Sequence, residues 1–311
     1  MQTKYLVTVI IPHYNSPIFL ERLLKSIPNR PDFQVVVVDD NSTKDRNVLE
    51  ACKTKYSAPN RIFLRNESGK NSAGTCRNIG IEHAEGEWLL FADADDVFTE
   101  EAETVLEKYL QSKYDIVFFT PTSFDYETGQ KVKRHEDVAK LILNYLNKGT
   151  REAELRIRYF HVCPWSKLIR KSLVDEHHIQ YDATMVSNDV MFSTKCGHYA
   201  KTIAATTEEI YCVTKTAGSL VTQTSEKNFD IRTNVLIDKY LFLKDNLSIE
   251  DCKLIRIDGL PGGRIYEMMK QYKSVKKLFT YIFLFYKKKV PVFTWRMLNP
   301  IVVVKAIKKR L

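Results

Sequence analysis

The fold is decided by an apolar run that ends abruptly in carboxylates, and this run reads Trp88-Leu89-Leu90-Phe91-Ala92-Asp93-Ala94-Asp95-Asp96. Its apolar half predicts a buried strand, because short apolar runs bounded by turn-forming residues are typical of strands inside a sheet. Two earlier apolar runs, at residues 7–11 and 35–38, are also followed by polar residues: Pro12-His13-Tyr14-Asn15 and Asp39-Asp40. We therefore predict strands whose ends carry polar groups.

Segments that lie between these strands have the pattern of helices. Helices are predicted over residues 17–27, 45–55 and 73–84, and further strands over 62–64 and 116–120. Strands that alternate with helices indicate an α/β fold, with a mostly parallel sheet covered by helices on both faces. Ligands of such sheets bind beyond the carboxyl ends of the strands, where the polar residues of the three runs converge.

Composition and length exclude several classes of protein. The chain has 311 residues, of which 44% are hydrophobic and 27% charged, and this excludes collagen, coiled coils and disordered chains. No apolar run approaches the roughly 18 residues of a membrane-spanning helix, and the N-terminus lacks the pattern of a signal peptide. The six cysteines contain no C-x-x-C pair, which argues against a zinc ribbon or a disulfide scaffold. We therefore expect a cytoplasmic protein.

The net charge of +9 is unevenly distributed along the chain. Residues 264–311 contain 13 Lys and Arg and one acid, Glu267, whereas the rest of the chain contains 34 basic and 37 acidic residues. A mildly acidic body with a cationic end argues against nucleic-acid binding through a general basic surface. Because the pattern becomes helical and basic from about residue 228, we place a domain boundary there.

Carboxylates from two of the strand ends are predicted to share one edge of the sheet: Asp39, Asp40, Asp93, Asp95 and Asp96. Clustered carboxylates repel one another unless a cation compensates their charge. Oxygen ligands suit Mg²⁺ or Mn²⁺, and these ions often complete their shells with substrate phosphates. We find no glycine-rich phosphate-binding motif, so binding of a diphosphate through a metal is expected. The alternative for residues 93–96 is an acidic turn that caps a helix beginning at Thr99.

Four blocks of the sequence resemble glycosyltransferase family 2, in the order of that family. They read Val9-Ile10-Ile11-Pro12-His13-Tyr14-Asn15, Val36-Val37-Val38-Asp39-Asp40-Asn41-Ser42, Ala73-Gly74-Thr75-Cys76-Arg77-Asn78-Ile79-Gly80 and Leu90-Phe91-Ala92-Asp93-Ala94-Asp95-Asp96. Two later blocks resemble the acceptor side of the family, Pro164-Trp165-Ser166-Lys167-Leu168 and Asn188-Asp189. The resemblance covers about residues 5–225, and an ordered set of this kind is much more specific than a lone D-x-D.

The resemblance implies a GT-A type fold and a nucleotide-diphosphate sugar as donor, most often a UDP-sugar. It assigns residues 1–227 to the catalytic domain, with nucleotide-sugar binding in 1–120 and acceptor binding in 121–227. Asp95 resembles the direct ligand of a divalent metal, Mn²⁺ or Mg²⁺, and Asp93 the contact with ribose and metal-bound water. The positions that match donor-binding residues are Pro12, Tyr14, Asn15, Asp39, Asp40, Asn71, Arg77, Asp93, Lys215 and Ser219. A surface position stays an alternative for Arg77 and Lys215.

Transfer of a sugar to a hydroxyl requires a positioned base that takes the proton. The resemblance assigns this role to Asp189, and acceptor contacts to Asn188 and Trp165. A single base opposite the leaving group gives one displacement with inversion. Asn188 stands where Glu is common in the family, which puts the acceptor contact at this position in question. The alternatives are a helix N-cap for Asp189 and a core position for Trp165.

Residues 228–311 are predicted to be helical and basic. Apolar residues recur at helical spacing, with lysines off the stripe, at Val275, Leu278, Phe279, Ile282, Phe285 and Tyr286, and a similar piece covers 303–311. Such stripes suit an anionic membrane surface, and the alternative is a helix packed on the catalytic domain. A lipid-linked acceptor at the inner face of the plasma membrane would explain the pattern.

The sequence thus predicts an inverting, metal-dependent glycosyltransferase that moves a sugar, with a UDP-hexose as the expected donor, to a hydroxyl of a glycan acceptor. Bacterial capsule, exopolysaccharide and wall-polymer synthesis all use lipid-linked acceptors of this kind. One alternative is a nucleotidyltransferase, which usually has a Gly- and Arg-rich loop after its first strand. Another is a non-catalytic sugar-nucleotide-binding protein, which would have no need of Asp189. The sequence leaves the sugar, the linkage and the oligomeric state open.

Overall fold

The computed structural model describes residues 5–215 and 225–292. They divide into two compact units, of which the first ends at Asn228 and the second begins at Phe229. The strands all lie in the first unit: β1 (Tyr5–His13), β2 (Phe33–Asp39), β3 (Arg61–Arg65), β4 (Gly86–Phe91), β5 (Val97–Phe98), β6 (Ile116–Phe119), β7 (Thr122–Asp125), β8 (Lys167–Arg170), β9 (Ile203–Thr206) and β10 (Tyr211–Lys215).

The helices of the first unit connect these strands: α1 (Pro17–Ser26), α2 (Arg46–Lys55), α3 (Ala73–Glu82), α4 (Ala102–Leu110), α5 (Glu136–Lys148), α6 (Arg151–Phe160), α7 (Lys171–Glu176) and α8 (Asp189–Tyr199). The remaining helices are α9 (Glu226–Asn246), α10 (Ile249–Ile255), α11 (Gly259–Tyr272) and α12 (Val275–Lys287). Within the described ranges, no helix is both long and apolar enough to cross a membrane.

The main sheet has seven strands in the order β3-β2-β1-β4-β8-β6-β9. Strands β1 to β4 run parallel, as the alternation of strands and helices predicts, and β6 pairs in parallel with β9. The sequence does not predict β8, which runs antiparallel to both β4 and β6. It also does not predict a small second sheet of β5, β10 and β7, because those strands are short and lack a long apolar run. The expected α/β fold, with a mostly parallel sheet and helices between its strands, is confirmed.

Strand β1 lies between β2 and β4 in the sheet and is apolar on both faces. Val9, Ile10 and Ile11 are all completely buried, as in strands covered on both sides. Gly80 of α3 lies against this strand, where a Cβ atom would come within 2.4 Å of the Cγ2 atom of Ile10. The glycine therefore allows α3 to pack directly on the sheet.

The register of the sheet brings the three polar strand ends together. His13 at the end of β1 is paired with Asp39 at the end of β2, and Ile10 is paired with Phe91 at the end of β4. Because these strands are parallel neighbours, the residues that follow them share one edge. The convergence that the sequence predicts is therefore a property of the fold.

The second unit has its own buried contacts. The guanidinium of Arg264 lies 3.5 Å from the ring centroid of Phe229, and its Nε atom donates a hydrogen bond of 2.9 Å to the Thr233 hydroxyl. Tyr281 of α12 packs edge-on against Phe229 and its hydroxyl donates to Asp230. Helices α9, α11 and α12 are thus joined around Phe229.

Candidate active site

Helix α3 is attached to the segment that precedes α8 and carries Asn188. The side-chain amide of Asn78 accepts from the backbone N–H of Tyr181 at 2.8 Å and donates to its carbonyl at 2.9 Å. At Gly74, a Cβ atom would lie 2.2 Å from the carbonyl oxygen of Asp182 and 2.9 Å from the Cβ of Asn188. The two segments therefore approach each other at backbone distance, which fixes α8 relative to the sheet.

Arg77 of α3 joins the donor-side acids to the acceptor-side block. Its Nη2 atom donates to a carboxylate oxygen of Asp93 at 2.6 Å, and its Nη1 atom donates to the side-chain oxygen of Asn188 at 2.8 Å. The guanidinium carbon lies 5.2 Å from the ring centroid of Tyr181, and the residue is 5% exposed. Arg77 is thus buried, and the surface alternative for it is wrong.

Asp189 is the first residue of α8 and lies next to this network. It is half-buried, and burial raises the pKa of its carboxyl above the ordinary value, while the charge of Arg77 opposes that rise. A carboxylate whose pKa is raised in this way accepts a proton more readily than an exposed aspartate does. Such a group can act as a general base. The N-cap position of α8 is held by Asn188, whose side chain makes no capping hydrogen bond, and not by Asp189.

Asp96 is the most buried aspartate of the acidic turn formed by residues 93–96. Asp96 is 3% exposed and accepts hydrogen bonds from the Tyr211 hydroxyl at 2.8 Å and from the Thr214 N–H at 2.7 Å. Burial and then the charges of the other two aspartates raise its pKa well above the usual range. Helix α4 begins at Ala102, so Asp96 anchors the acidic turn to β10 instead of capping a helix at Thr99.

Trp165 contacts the acidic turn indirectly, through Tyr211. It is 8% exposed, and its ring stacks on Tyr211 with centroids 5.8 Å apart and planes inclined by 11°. The Tyr211 hydroxyl accepts from the backbone N–H of Asp93 and donates to Asp96. A buried, stacked ring agrees with a core position for Trp165. A contact of this residue with the acceptor stays a prediction.

Arg22 is a residue of this region that the sequence does not single out. A nitrogen of its guanidinium donates to the backbone carbonyl of Asp95 and, at 2.9 Å, to the Thr214 hydroxyl. Its charge also faces the ring of Tyr126, with 4.8 Å between the guanidinium carbon and the ring centroid. Arg22 therefore holds the backbone of the acidic turn. In the sequence it is one charged residue on an amphipathic helix, a pattern that predicts a solvated position.

The carboxylate of Asp39, at the end of β2, accepts hydrogen bonds from neighbouring residues. One oxygen lies 2.8 Å from His13 Nδ1 and 2.5 Å from the Ser42 hydroxyl, and the other accepts from the Ser42 N–H at 3.0 Å. Burial acts to raise the pKa of Asp39, but these bonds outweigh it and the pKa lies below its ordinary value. The group is thus a fixed carboxylate, and its second oxygen retains the capacity to accept a bond.

The other donor-side residues form the loops around Asp39. Asn15 accepts from the N–H groups of residues 43 and 44, at 2.8 and 2.9 Å, and Asp40 accepts from the Asn66 amide at 2.6 Å. Asn71 is exposed and accepts a weak hydrogen bond of 3.4 Å from Asn41. Pro12 is buried within β1 and pairs with Val38 of β2, whereas Tyr14 is 57% exposed.

Lys215 lies at the end of β10, one residue after the N–H group that binds Asp96. Its ammonium pairs with Asp125 at 2.9 Å, and its side chain is 57% exposed. A role in binding phosphate stays a prediction for this residue. Ser219 lies outside the described residues.

The acidic turn fits a divalent metal. Burial and then the charge of Asp93 raise the pKa of Asp95, while the charges of Arg134 and Arg22 act against that rise. Within the described ranges, no group of three or more His, Cys, Asp and Glu residues is arranged to hold a metal alone. This donor set matches Mg²⁺ or Mn²⁺, which bind through one or two carboxylates and substrate phosphates.

Comparison with known proteins agrees with this geometry. The sheet, the acidic turn after β4 and the polar ends of β1 and β2 define a glycosyltransferase with a GT-A type fold. The model of glycosyl transferase family 2 matches residues 8–177, and the chain belongs to this family. It is a glycosyltransferase, so neither a nucleotidyltransferase nor a non-catalytic binding protein is retained as an alternative.

Curated relatives match different shares of the chain. Glycosyltransferase GlyG of Streptococcus pneumoniae is 25% identical over 286 residues, which are 86% of this chain and 88% of that protein. The poly(ribitol-phosphate) beta-N-acetylglucosaminyltransferase TarS of Staphylococcus aureus is 35% identical over 99 residues, 30% of this chain and 17% of that protein. The similarity to GlyG thus extends over most of both chains, whereas the similarity to TarS is limited to about a third of this chain.

Two solved structures share the fold. A crystal structure of residues 1–349 of S. aureus TarS with UDP-GlcNAc superposes with a TM-score of 0.61 at 20% identity, covering 86% of this chain and 73% of that one. Mannosyltransferase PcManGT of Pyrobaculum calidifontis, in complex with GDP-Man and Mn²⁺, gives a TM-score of 0.57 at 16% identity, covering 99% of this chain and 88% of that one.

Proposed function

We propose that the protein moves a sugar from a UDP-sugar to a hydroxyl of a glycan acceptor, with inversion at the anomeric carbon. The observation that carries this proposal is the position of Arg77, whose two nitrogens bind Asp93 of the acidic turn and Asn188 beside Asp189. One buried residue thereby joins the donor side of the site to the acceptor side. A transfer reaction requires these two sides to be adjacent.

On the donor side, the Asp39 carboxylate is suited to accept a hydrogen bond from an N–H group of the nucleotide base, and the exposed Tyr14 ring to pack on its face. Binding of UDP-GlcNAc by TarS and of GDP-Man by PcManGT supports a nucleotide sugar as the donor. Asp95 and Asp93 would hold Mn²⁺ or Mg²⁺, which supplies Lewis-acid stabilisation of the leaving diphosphate.

On the acceptor side, Asp189 takes the proton of the attacking hydroxyl. The acceptor oxygen forms a bond to the anomeric carbon while the bond from that carbon to the UDP oxygen breaks, and attack from the opposite face inverts the configuration. Arg77 holds Asn188 in place beside Asp189, and its charge limits the rise that burial causes in the pKa of the base. When Asp189 is protonated it cannot accept the proton of the acceptor hydroxyl, so transfer does not proceed.

We further propose that residues 1–227 are the catalytic domain and that the acceptor is a lipid-linked glycan of a bacterial cell-surface polymer. The polymer acceptor in the name of TarS supports this class of acceptor. The enzyme would then work at the inner face of the plasma membrane.

The proposed function is tested with Asp189→Asn, which has nearly the same shape but cannot accept the proton. Loss of a general base lowers the rate by about 10²–10⁴-fold, so we expect kcat to fall by that factor with little change in the affinity for UDP. The matched control is Asp175→Asn, an exposed acid of the same unit that pairs with Lys171. Transfer from a panel of UDP- and GDP-sugars to a bacterial lipid extract is the measurement.

A transfer rate that Asp189→Asn leaves unchanged would remove Asp189 from the mechanism. A panel in which GDP-sugars are used and UDP-sugars are not would overturn the assignment of the donor.

A further inference from the structure

Helix α12 has large apolar side chains on two faces. One face is buried inside the second unit: Tyr281 is 5% exposed and Phe285 is completely buried. The other face is open, and its residues are among the most exposed apolar side chains of the described chain: Val275 (62%), Phe279 (66%), Phe283 (65%) and Tyr286 (78%).

These four side chains form one stripe. Residues of an α-helix advance by about 100° each, so positions 275, 279, 283 and 286 fall within about 80° of one another. Lys276 and Lys287 project next to the stripe on the same side by this geometry. We refer to Val275, Phe279, Phe283 and Tyr286, with these two lysines, as the α12 face.

The α12 face differs from the stripe that the sequence predicts. The sequence pattern includes Phe285, which the structure buries, and omits Phe283, which the structure exposes. The reason is that the helix is apolar on two adjacent faces, and spacing alone does not tell which of them the rest of the unit covers. Packing of Tyr281 against Phe229 makes that choice.

Charge restricts what can cover this face. No acidic residue follows Glu267 in the sequence, and the helix ends in Lys287 and is followed by Lys288 and Lys289, all three exposed. A second copy of the chain would bring these cations against the same cations, which is unfavourable. A contiguous apolar stripe is also more than the isolated exposed side chains that a water-facing surface normally carries.

We propose that the α12 face docks on an anionic lipid surface. Helices that lie in the interface of a bilayer bury a stripe of large apolar residues among the acyl chains, while flanking lysines reach the headgroups. The α12 face has both parts. It lies outside the chemistry of transfer, so its test needs neither donor nor acceptor.

The test is co-sedimentation of the full chain with vesicles of phosphatidylcholine, alone or mixed with phosphatidylglycerol. The double variant Phe279→Ser/Phe283→Ser removes the two rings, and the loss of burial predicts a fall in vesicle affinity of at least about tenfold per ring. Lys276→Gln/Lys287→Gln removes charge only, and we expect a loss of about fivefold per lysine on the anionic vesicles. In this second variant the apolar stripe is intact, so it tests the proposal even if the first variant folds poorly.

The matched control is Ile249→Ser on α10, which removes an apolar side chain that is 68% exposed in the same unit but is followed by the acids Glu250 and Asp251. It should leave vesicle binding unchanged. The proposal is supported if both double variants lose binding while thermal unfolding and UDP binding stay as in the parent chain.

Three results would overturn the proposal. The chain could fail to bind anionic vesicles, it could bind them as well after both double substitutions, or it could form a dimer in sedimentation that Phe279→Ser/Phe283→Ser dissociates without any vesicle binding. The last result would assign the α12 face to a second copy. Failure of the proposed transfer reaction would show in the activity assay and not in these measurements.

Discussion

The two groups of carboxylates at the edge of the sheet differ in how their charge is compensated. Asp39 receives hydrogen bonds from His13 and Ser42, and its pKa is below the ordinary value. Asp95, in the turn after β4, and Asp189, at the start of α8, have pKa values that burial raises. The charge of Asp39 is thus stabilised within the protein, whereas the environment of Asp95 and Asp189 favours uptake of a cation or a proton.

This difference indicates that the two groups of carboxylates are suited to bind different parts of a ligand. A carboxylate that is already ionised and fixed is suited to recognise a neutral group, such as the N–H of a base, and needs no metal. Carboxylates that repel one another in a buried turn are suited to bind a divalent ion. Arg77 pairs with Asp93 at 2.6 Å, and we therefore propose Asp95 as the aspartate of this turn that binds the metal directly.

Of the three substitutions that test this difference, the largest effect is expected from Asp95→Asn, which breaks the proposed metal site and keeps the shape of the side chain. Loss of Lewis-acid stabilisation worth several kcal/mol lowers kcat/KM by about 10²–10³-fold. Steady-state transfer rates at several Mn²⁺ concentrations are the measurement. The control is Glu100→Gln, an exposed acid close to the turn, which should leave the rate unchanged. A metal response in Asp95→Asn equal to that of the parent chain would contradict the assignment.

A smaller effect, confined to binding, is expected from Asp39→Asn. Removal of a charged hydrogen-bond partner costs about 1.5–3 kcal/mol, so KM for the donor should rise about 10–100-fold while kcat changes little. The matched control is Asp32→Asn, whose carboxyl also has a lowered pKa, because it pairs with Arg30 outside the site. An unchanged KM, or a loss of kcat as large as that of Asp95→Asn, would remove the distinction between the two groups.

The smallest effect is a shift of pH dependence in Asn188→Glu. A second carboxylate beside Asp189 would repel its charge and neutralise Arg77, and both changes raise the pKa of Asp189. Because the base works deprotonated, kcat falls as the pH drops through this pKa, and the acidic limb should move upwards by about one unit. Asn188→Gln adds no charge and should leave the limb in place. Equal profiles for the two variants would show that Asn188 does not act on Asp189.

Much of the fold was predictable because it follows from local apolar runs. The strands at 7–11, 35–38 and 62–64 and the polar ends of β1, β2 and β4 are all found where the sequence places them. Strands β8 and β10 were not predictable, since Lys167–Arg170 and Tyr211–Lys215 are short and gain their stability from neighbours distant in the sequence.

The candidate site was predictable in its residue types but not in its contacts. Arg77, Asp93 and Asn188 could each be identified from their motifs, but the bonds that join them depend on how α3 packs against the segment before α8. Arg22 could not be identified, because its partners are a backbone carbonyl and a hydroxyl 73 and 192 positions away. No local pattern encodes such contacts.

The central claim is that the acidic turn, and not the Asp39 group, holds a divalent metal together with the donor diphosphate. The most direct test is calorimetric titration of UDP, with and without Mn²⁺, into the parent chain, Asp39→Asn and Asp95→Asn. We expect Mn²⁺ to increase the affinity for UDP by the same factor in the parent chain and in Asp39→Asn, and to have no effect in Asp95→Asn. An equal increase in Asp95→Asn would contradict the account.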